Sequence, residues 1–222
     1  MKVSDAIKTR MTVRQFMDTP VPLETLRELL EIAKRAPSGG NLQPWTVHAI
    51  TGEALKSLVR DVEEKMKAGV TEEPEYNVYP PDLIEPYRTR RRIVGQQLYD
   101  LIGVPRSDTP GKLKQLARNY RFFDAPVGLF FVLHRQMEIG QYADVGMFME
   151  NIMLLAREYG LDTCPQEAWA RWPQTLKEHL TLSDDEILFC GMALGYKDED
   201  AVINELVSER ETLENFVTLH GF

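Results

Sequence analysis

From Tyr142 to Tyr159 the chain carries apolar residues around a whole helical wheel, among them Val145, Met147, Phe148, Met149, Ile152, Met153, Leu154 and Leu155. No other stretch constrains the fold as tightly, because a helix without a polar face has to be enclosed on all sides. The chain has 222 residues, enough for one core of ordinary size, and a second copy of the chain is a natural source of the missing cover. Gly160 is placed to end this helix in a left-handed cap, with Leu161 as the apolar residue that follows such a cap.

The rest of the pattern mixes helices and strands without a regular βαβ series, which predicts an α+β fold: a central mixed, mostly antiparallel sheet enclosed by helices. Val3 to Arg10 reads as a short helix. Leu23, Leu26, Leu30 and Ala33 recur at helical spacing between Pro22 and Pro37. Trp45 to Ile50 is rich in strand formers, and a charged helix follows Gly52 to about Lys67. Val127–Leu133 and Ile187–Gly195 are apolar throughout, as interior strands are. Phe216–Leu219 reads as a late short strand. No linker divides the chain, so residues 1–222 are expected to form a single domain. Residues 71–111 stand apart: a proline-rich acidic segment (Glu72, Glu73, Pro74, Glu75, Pro80, Pro81), a helix from about Asp82 to Ile102 and a turn-like Gly103–Gly111. Irregular stretches of this length tend to be functional, and this one is expected to be an excursion or lid.

The formal net charge is −8, the wrong sign for a chain that wraps nucleic acid or lies on an anionic membrane. The N-terminus alternates charge with single apolar residues instead of carrying a signal peptide's apolar core, and no apolar run approaches the roughly 20 residues that span a bilayer. Two cysteines, Cys164 and Cys190, read as separate thiols of a cytoplasmic protein. The four histidines are scattered, and no metal site is expected. G-x-G-x-x-G and G-x-x-x-x-G-K-[ST] are both absent, so an anionic cofactor has to be held by arginines rather than by a glycine-rich phosphate loop.

Two clusters offer such a grip. In Arg10-Met11-Thr12-Val13-Arg14-Gln15-Phe16, Arg10 and Thr12 supply the guanidinium and hydroxyl donors that hold a phosphate monoester, and Arg14 adds a second charge. Two solvated arginines around a hydroxyl would look the same. In Ala36-Pro37-Ser38-Gly39-Gly40-Asn41-Leu42-Gln43-Pro44-Trp45, glycines that permit close approach sit among a hydroxyl and two amides. That is a ligand-facing loop or a plain connector.

Together these segments resemble the nitroreductase family of flavoenzymes, in the form R-x-[ST]-x-R-x-F followed by A-P-S-x-x-N-x-Q-P-W. Further segments agree in order: Gly160-Leu161, Cys164-Pro165-Gln166-Glu167-Ala168, Gly191–Gly195 with Tyr196, and Ser208-Glu209-Arg210. The tail Phe216–Phe222, Tyr87-Arg88 with Arg90-Arg91, and Leu98-Tyr99 with Leu101 and Gly103 are similar to one branch of the family.

The resemblance implies an intertwined homodimer that binds FMN at the subunit interface and takes electrons from NADH or NADPH. It implies that Arg10, Met11, Thr12 and Arg210 surround the FMN phosphate, with Arg14 along the ribityl chain or the N1/O2 edge. It further implies that Pro37, Ser38, Gly39 and Asn41 come from the other subunit, and that Pro165, Gln166 and Glu167 run beside the ring. The cofactor carries the chemistry, so no side chain is singled out as catalytic. The expected partner is a small electron-poor acceptor such as a nitroaromatic or a quinone. A dehalogenase, an enone reductase and a non-catalytic flavin sensor are alternatives on the same scaffold. Arg91, four residues from Tyr87 on the apolar stripe, is a candidate for the substrate cavity, where it would favour anionic acceptors. Phe123, with Tyr120 and Phe122, is a candidate for its aromatic wall, and ordinary core is the competing reading.

Overall fold

The computed structural model describes residues 1–222. Strands β1 (Thr46–Thr51), β2 (Val127–His134), β3 (Asp162–Gln166) and β4 (Glu186–Gly195) form one sheet in the order β1-β2-β4-β3, each neighbouring pair antiparallel. The parallel component expected for a mixed sheet is confined to an isolated bridge between Thr12 and Thr163. Strand β2 shows why its sequence is apolar on both faces. Phe130 and Val132 point into one core with Leu58 and Val62 of α3 (Gly52–Lys67) and Leu176 of α7 (Pro173–Leu180). Leu129, Phe131 and Leu133 point into a second core with Leu26 and Leu29 of α2 (Leu23–Ala33) and Phe148 and Ile152 of α6 (Ile139–Glu158). Each such side chain, fully buried, contributes about 1.5–3 kcal/mol. The result is a helix–sheet–helix sandwich, preceded by the short α1 (Val3–Thr9).

The long apolar helix begins three residues ahead of the expected start, because Glu138 and Gln141 close a reciprocal capping box there. It ends as the sequence predicts: Gly160 has φ 70° and Leu161 N–H donates to Ala156 O at 2.8 Å. The chain itself buries only one stripe of it, Asp144, Val145, Phe148, Met149, Ile152 and Ala156, and leaves Met147 exposed.

Within 71–111 the irregular part runs to Pro86 and is followed by α4 (Tyr87–Leu101), which buries no residue. The turn expected up to Gly111 is instead the start of α5 (Thr109–Ala117). Asp108 caps it by accepting from Gly111 N–H at 2.9 Å, and Pro110 sits in a first turn that tolerates it. The late strand does not form: beyond a short turn at Leu213–Asn215 the tail finds no strand edge in its own chain, and Phe216 is 69% exposed. Strand β3 and helix α7 carry no clear periodicity in the sequence.

Candidate active site

A cavity of roughly 990 Å³ opens at one end of β3 and β4. That is the upper end of the range for ligand pockets, room for a cofactor and a second reactant. Its walls come from the segment before α2, the strap at residues 69–79, α4, α6, β3 and the turn that follows β3.

Backbone pairing brings the first cationic segment here. Val13 N–H donates to Thr163 O at 3.1 Å beside the Thr12–Thr163 bridge, so residues 10–14 lie along the free edge of β3. Asn204 holds the far side, accepting from Arg14 N–H at 2.8 Å and donating to Gln15 O at 2.8 Å. Arg14 therefore lines the cavity, its guanidinium donating to Thr12 O at 3.3 Å. The Met11 side chain turns away and packs against the core. Arg10 ends α1 through its N–H to Ala6 O, its side chain half-buried.

Pro165, Gln166 and Glu167 form the next stretch of wall. Gln166 is 2% exposed; its Nε2 donates to Asn119 O at 2.7 Å, while its Oε1 is buried with no partner. A buried acceptor left unpaired is unfavourable by about 1–3 kcal/mol, and on a cavity wall it calls for a ligand N–H. Trp172 Nε1, on the same wall, is a buried donor with no partner. Burial raises the Glu167 carboxyl above the ordinary range. The two thiols also lie on this wall; both are free and buried, and burial pushes Cys164 up to about 12.

Two glycines seat the turn that carries Glu167. Trp169 is fully buried and stacks on Phe122 at 4.7 Å, and the two rings pack against Gly191 and Gly128 of the sheet. A Cβ at Gly191 would sit inside the Trp169 indole, with Cδ1 nearest and Cγ at 3.1 Å; one at Gly128 would lie 2.5–2.9 Å from the Phe122 ring. Gly191 pairs with Gln166 across β3–β4, so the place where the indole fits and the place where the wall begins are the same rung of the sheet.

A β-bulge shapes the opposite side. The β2–β4 register shifts between Phe131 and Val132, leaving Phe189 unmatched and lining the cavity, the re-aiming that bulges perform beside sites. The strap anchors on this irregularity: Tyr76 hydroxyl donates to Phe189 O, and their rings lie 6.4 Å apart. Glu72 accepts from Gln174 N–H at 2.7 Å, Thr175 N–H at 3.1 Å and the Thr175 hydroxyl, capping α7 from outside it. Glu75 pairs with Arg135. Farther along, Tyr79 and Arg91 line the cavity together, the guanidinium 4.0 Å over the ring.

The structure thus brings together Arg14, Pro165, Gln166, Glu167 and Arg91. Pro37, Ser38, Gly39 and Asn41 are not on the cavity wall of their own chain. Their loop docks on the N-terminal half of α6, where Gly39 N–H donates to Asp144 at 3.2 Å and Trp45 stacks on Phe148 at 4.8 Å. Arg210 is exposed and turned onto its own segment, donating to Ser208 and to Glu209 O. Phe123 does not face the cavity: at 2% exposure it is core, because left-handed backbone at Phe122 (φ 50°) and Phe123 (φ 52°) turns both rings inward. Of that aromatic trio only Tyr120 reaches the wall. Asn119, Arg171 and Tyr79 are wall residues that sequence reasoning missed; Arg171, between Trp169 and Trp172 after the Pro165–Glu167 segment, had a usable neighbourhood, while the other two had none.

The family model described as "Nitroreductase family" matches residues 7–196. The chain belongs to the nitroreductase family. A chloronitrobenzene nitroreductase of Comamonas testosteroni is 41% identical over 97% of this chain and 96% of its own length. A 4-nitrobenzoate reductase of Pseudomonas putida is 36% identical over 97% and 94%. Among solved structures, the FMN and NADPH-dependent nitroreductase NfnB of Sphigopyxis sp. strain HMH superposes with a TM-score of 0.97 at 42% identity, covering both chains completely. No helix of this family member is long and apolar enough to cross a membrane.

Proposed function

We propose that this chain is an FMN-dependent oxidoreductase of the cytoplasm, acting as a homodimer, that passes a hydride from NADH or NADPH to small electron-poor acceptors such as nitroarenes and quinones in a ping-pong cycle. The observation that carries this reading is the pairing of residues 10–14 with the edge of β3. It sets a cationic segment and the Pro165–Glu167 wall around one cavity, with Gln166 Oε1 buried and unpartnered there. Those residues fit FMN: an anionic tail needs guanidinium and hydroxyl donors, and a ring edge bearing N–H satisfies the glutamine. The activities of the 36–42% identical relatives support the same choice.

In this assignment Arg10, Thr12 and Arg210 hold the phosphate, with Met11 contributing main chain only, and Arg14, Gln166 and Glu167 border the ring. FMN held by these residues would supply the two-electron chemistry. Arg14 provides a fixed positive charge where negative charge builds on reduction. Burial keeps Glu167 protonated to higher pH than an exposed glutamate, so it opposes that charge less. The excursion at 71–111 roofs the cavity through Tyr79 and Arg91.

The dimer is supported by what one chain leaves uncovered: the outer face of α6, Ile139 at 88% exposure, and the apolar tail with Phe216, Leu219 and Phe222. Pro37, Ser38, Gly39 and Asn41 of the partner subunit then complete the flavin site. The free thiols fit a reducing compartment. The test is purification without added cofactor, followed by light scattering, absorbance and anaerobic NADPH titration with nitrobenzene as acceptor. A yellow dimer that bleaches with NADPH and recovers its colour with nitrobenzene is expected. A stable monomer that ignores added FMN would overturn the reading, and a flavin that NADPH leaves oxidised would make the protein a binder or sensor instead.

A further inference from the structure

Three guanidinium groups face the cavity, those of Arg14, Arg91 and Arg171, against the carboxylates of Glu72 and Glu167. Neither carboxylate forms an ion pair with any of the three. Glu72 is engaged with the start of α7, and Glu167 shares the wall without pairing with them. Two of the neighbouring helix arginines are already occupied, Arg90 by Glu211 at 2.8 Å and Arg88 by Leu83 O at 2.9 Å, and Arg92 does not line the cavity. Arg91 forms no ion pair and no hydrogen bond, and its one close partner is the Tyr79 ring. Stacking uses the face of a guanidinium and leaves its in-plane N–H donors free, in the fork that matches carboxylate and phosphate oxygens. Arg171, from the turn after β3, is likewise unpaired and lies close enough to Tyr120 to act on its hydroxyl.

We propose that Arg91, stacked on Tyr79, and Arg171 form an anion-selective mouth to the cavity, so that it favours reactants that carry a carboxylate or a phosphate over neutral ones. This rests on the oxidoreductase reading above. It also deepens that reading, since it names the chemistry that distinguishes a preferred reactant from a neutral one of the same shape. Two sources can bring the oxyanion: a carboxylate on the aromatic acceptor, or the 2′-phosphate of the nicotinamide donor. Tyr79 acts as a positioning residue. The strap is pinned at Glu72 and Tyr76, so Tyr79 is carried on an anchored segment, and the ring holds the fork over the opening instead of letting a long side chain drift into solvent.

The experiment uses the purified holoenzyme and its R91Q, R171Q and double variants, with flavin content and melting temperature confirming that each is intact. Dissociation constants are measured by calorimetry for benzoate against benzamide and for adenosine 2′-monophosphate against adenosine, at low and high salt. Alongside, kcat/KM is compared for 4-nitrobenzoate against nitrobenzene and for NADPH against NADH. The wild type is expected to favour the anionic member of at least one pair by about tenfold or more, as a charge-assisted hydrogen bond to a partly exposed arginine allows. The double variant should lose that preference, and salt should erode it in the wild type. Loss in the benzoate and nitrobenzoate arm assigns the mouth to the acceptor; loss in the adenosine phosphate and NADPH arm assigns it to the donor. Y79L should weaken the same preference through KM rather than kcat. Equal binding within both pairs by the wild type, or an anion preference that survives in the double variant, overturns the proposal. Because the binding arms need no turnover, a protein that reduces nitrobenzene yet shows no anion preference refutes this inference alone.

Discussion

Gly191→Ala isolates the dependence of the site on one rung of the sheet. The added methyl would fall within the Trp169 indole, with Cγ at 3.1 Å and Nε1 at 3.3 Å beyond the nearer Cδ1. Neither partner has room to retreat. Trp169 is fully buried and boxed in by Tyr120 at 5.5 Å, Phe122 at 4.7 Å and Phe130 at 5.2 Å between ring centres. Gly191 is tied on both sides, to Phe130 across β2 and to Gln166 across β3. Overpacking of this kind costs about 1–3 kcal/mol, and with roughly 2–4 °C per kcal/mol for a chain of this size the melting temperature should fall by roughly 2–12 °C. The indole is the base of the turn that carries Glu167, so the displacement should also loosen the flavin, measured as a raised dissociation constant for added FMN. Trp169→Leu alone leaves a void and is itself destabilising. In the double variant the methyl occupies part of that void, so the two effects should be strongly non-additive in a mutant cycle. A Gly191→Ala protein that melts within 2 °C of wild type, or one whose effect simply adds to that of Trp169→Leu, would refute the account of this rung.

Four further outcomes are expected. Arg10→Ala combined with Arg210→Ala removes two sets of charge-assisted hydrogen bonds, each about 1.5–3 kcal/mol; the protein should purify colourless, and full flavin retention would contradict the phosphate assignment. Glu72→Ala uncaps α7 from the strap, a loss of about 1–2 kcal/mol; amide exchange at Gln174 and Thr175 should accelerate, and unchanged protection would count against the latch. Glu167 has a folded pKa raised by burial, so its contribution is fully present below its unfolded pKa near 4.3 and is lost as pH rises through the folded value. Flavin-free Glu167→Gln, neutral at every pH, should therefore melt above wild type at pH 8 and show no advantage at pH 4, whereas a gap independent of pH would disprove the burial argument. Burial pushes Cys164 up to about 12 and Cys190 higher still, so neither should react with an aromatic disulfide reagent at pH 8 until the protein unfolds; rapid modification of the native protein would show a thiol that the packing does not shield.

The features legible in the sequence are those written locally. Alternate side chains of β2 enter two cores, which is why Val127–Leu133 lacks a polar position, and Gly160-Leu161 announces a cap that depends on its own backbone. Strand β3 was hidden because Asp162-Thr163-Cys164-Pro165-Gln166 alternates nothing; tertiary pairing with β4, not propensity, makes it a strand. Phe123 went to the core rather than the cavity through left-handed backbone at two non-glycine residues, a conformation that no residue type there signals. The cationic mouth was half legible for the same reason. Arg91 stood out in a basic run, but Tyr79 and Arg171 belong beside it only because the bulge at Phe189 gives Tyr76 an anchor and the Trp169 seat fixes the turn after β3.

The apolar helix makes the sharpest case. Its sequence demands cover on all sides, yet one chain supplies a single buried stripe and leaves Met147 in the open. The loop at residues 37–41, rich in groups that suit a ligand, docks on the same helix and contributes nothing to its own cavity. One arrangement would answer both: a second copy laid against α6, as proposed above, would cover the exposed face and carry its loop to the neighbour's cavity. Burial of the helix and completion of the flavin site would then be a single event, so a substitution such as Met147→Asp, at a residue that does not itself line the cavity, should lower oligomer stability and flavin affinity together. Dissociation to monomers with flavin affinity intact would separate the two and break the argument.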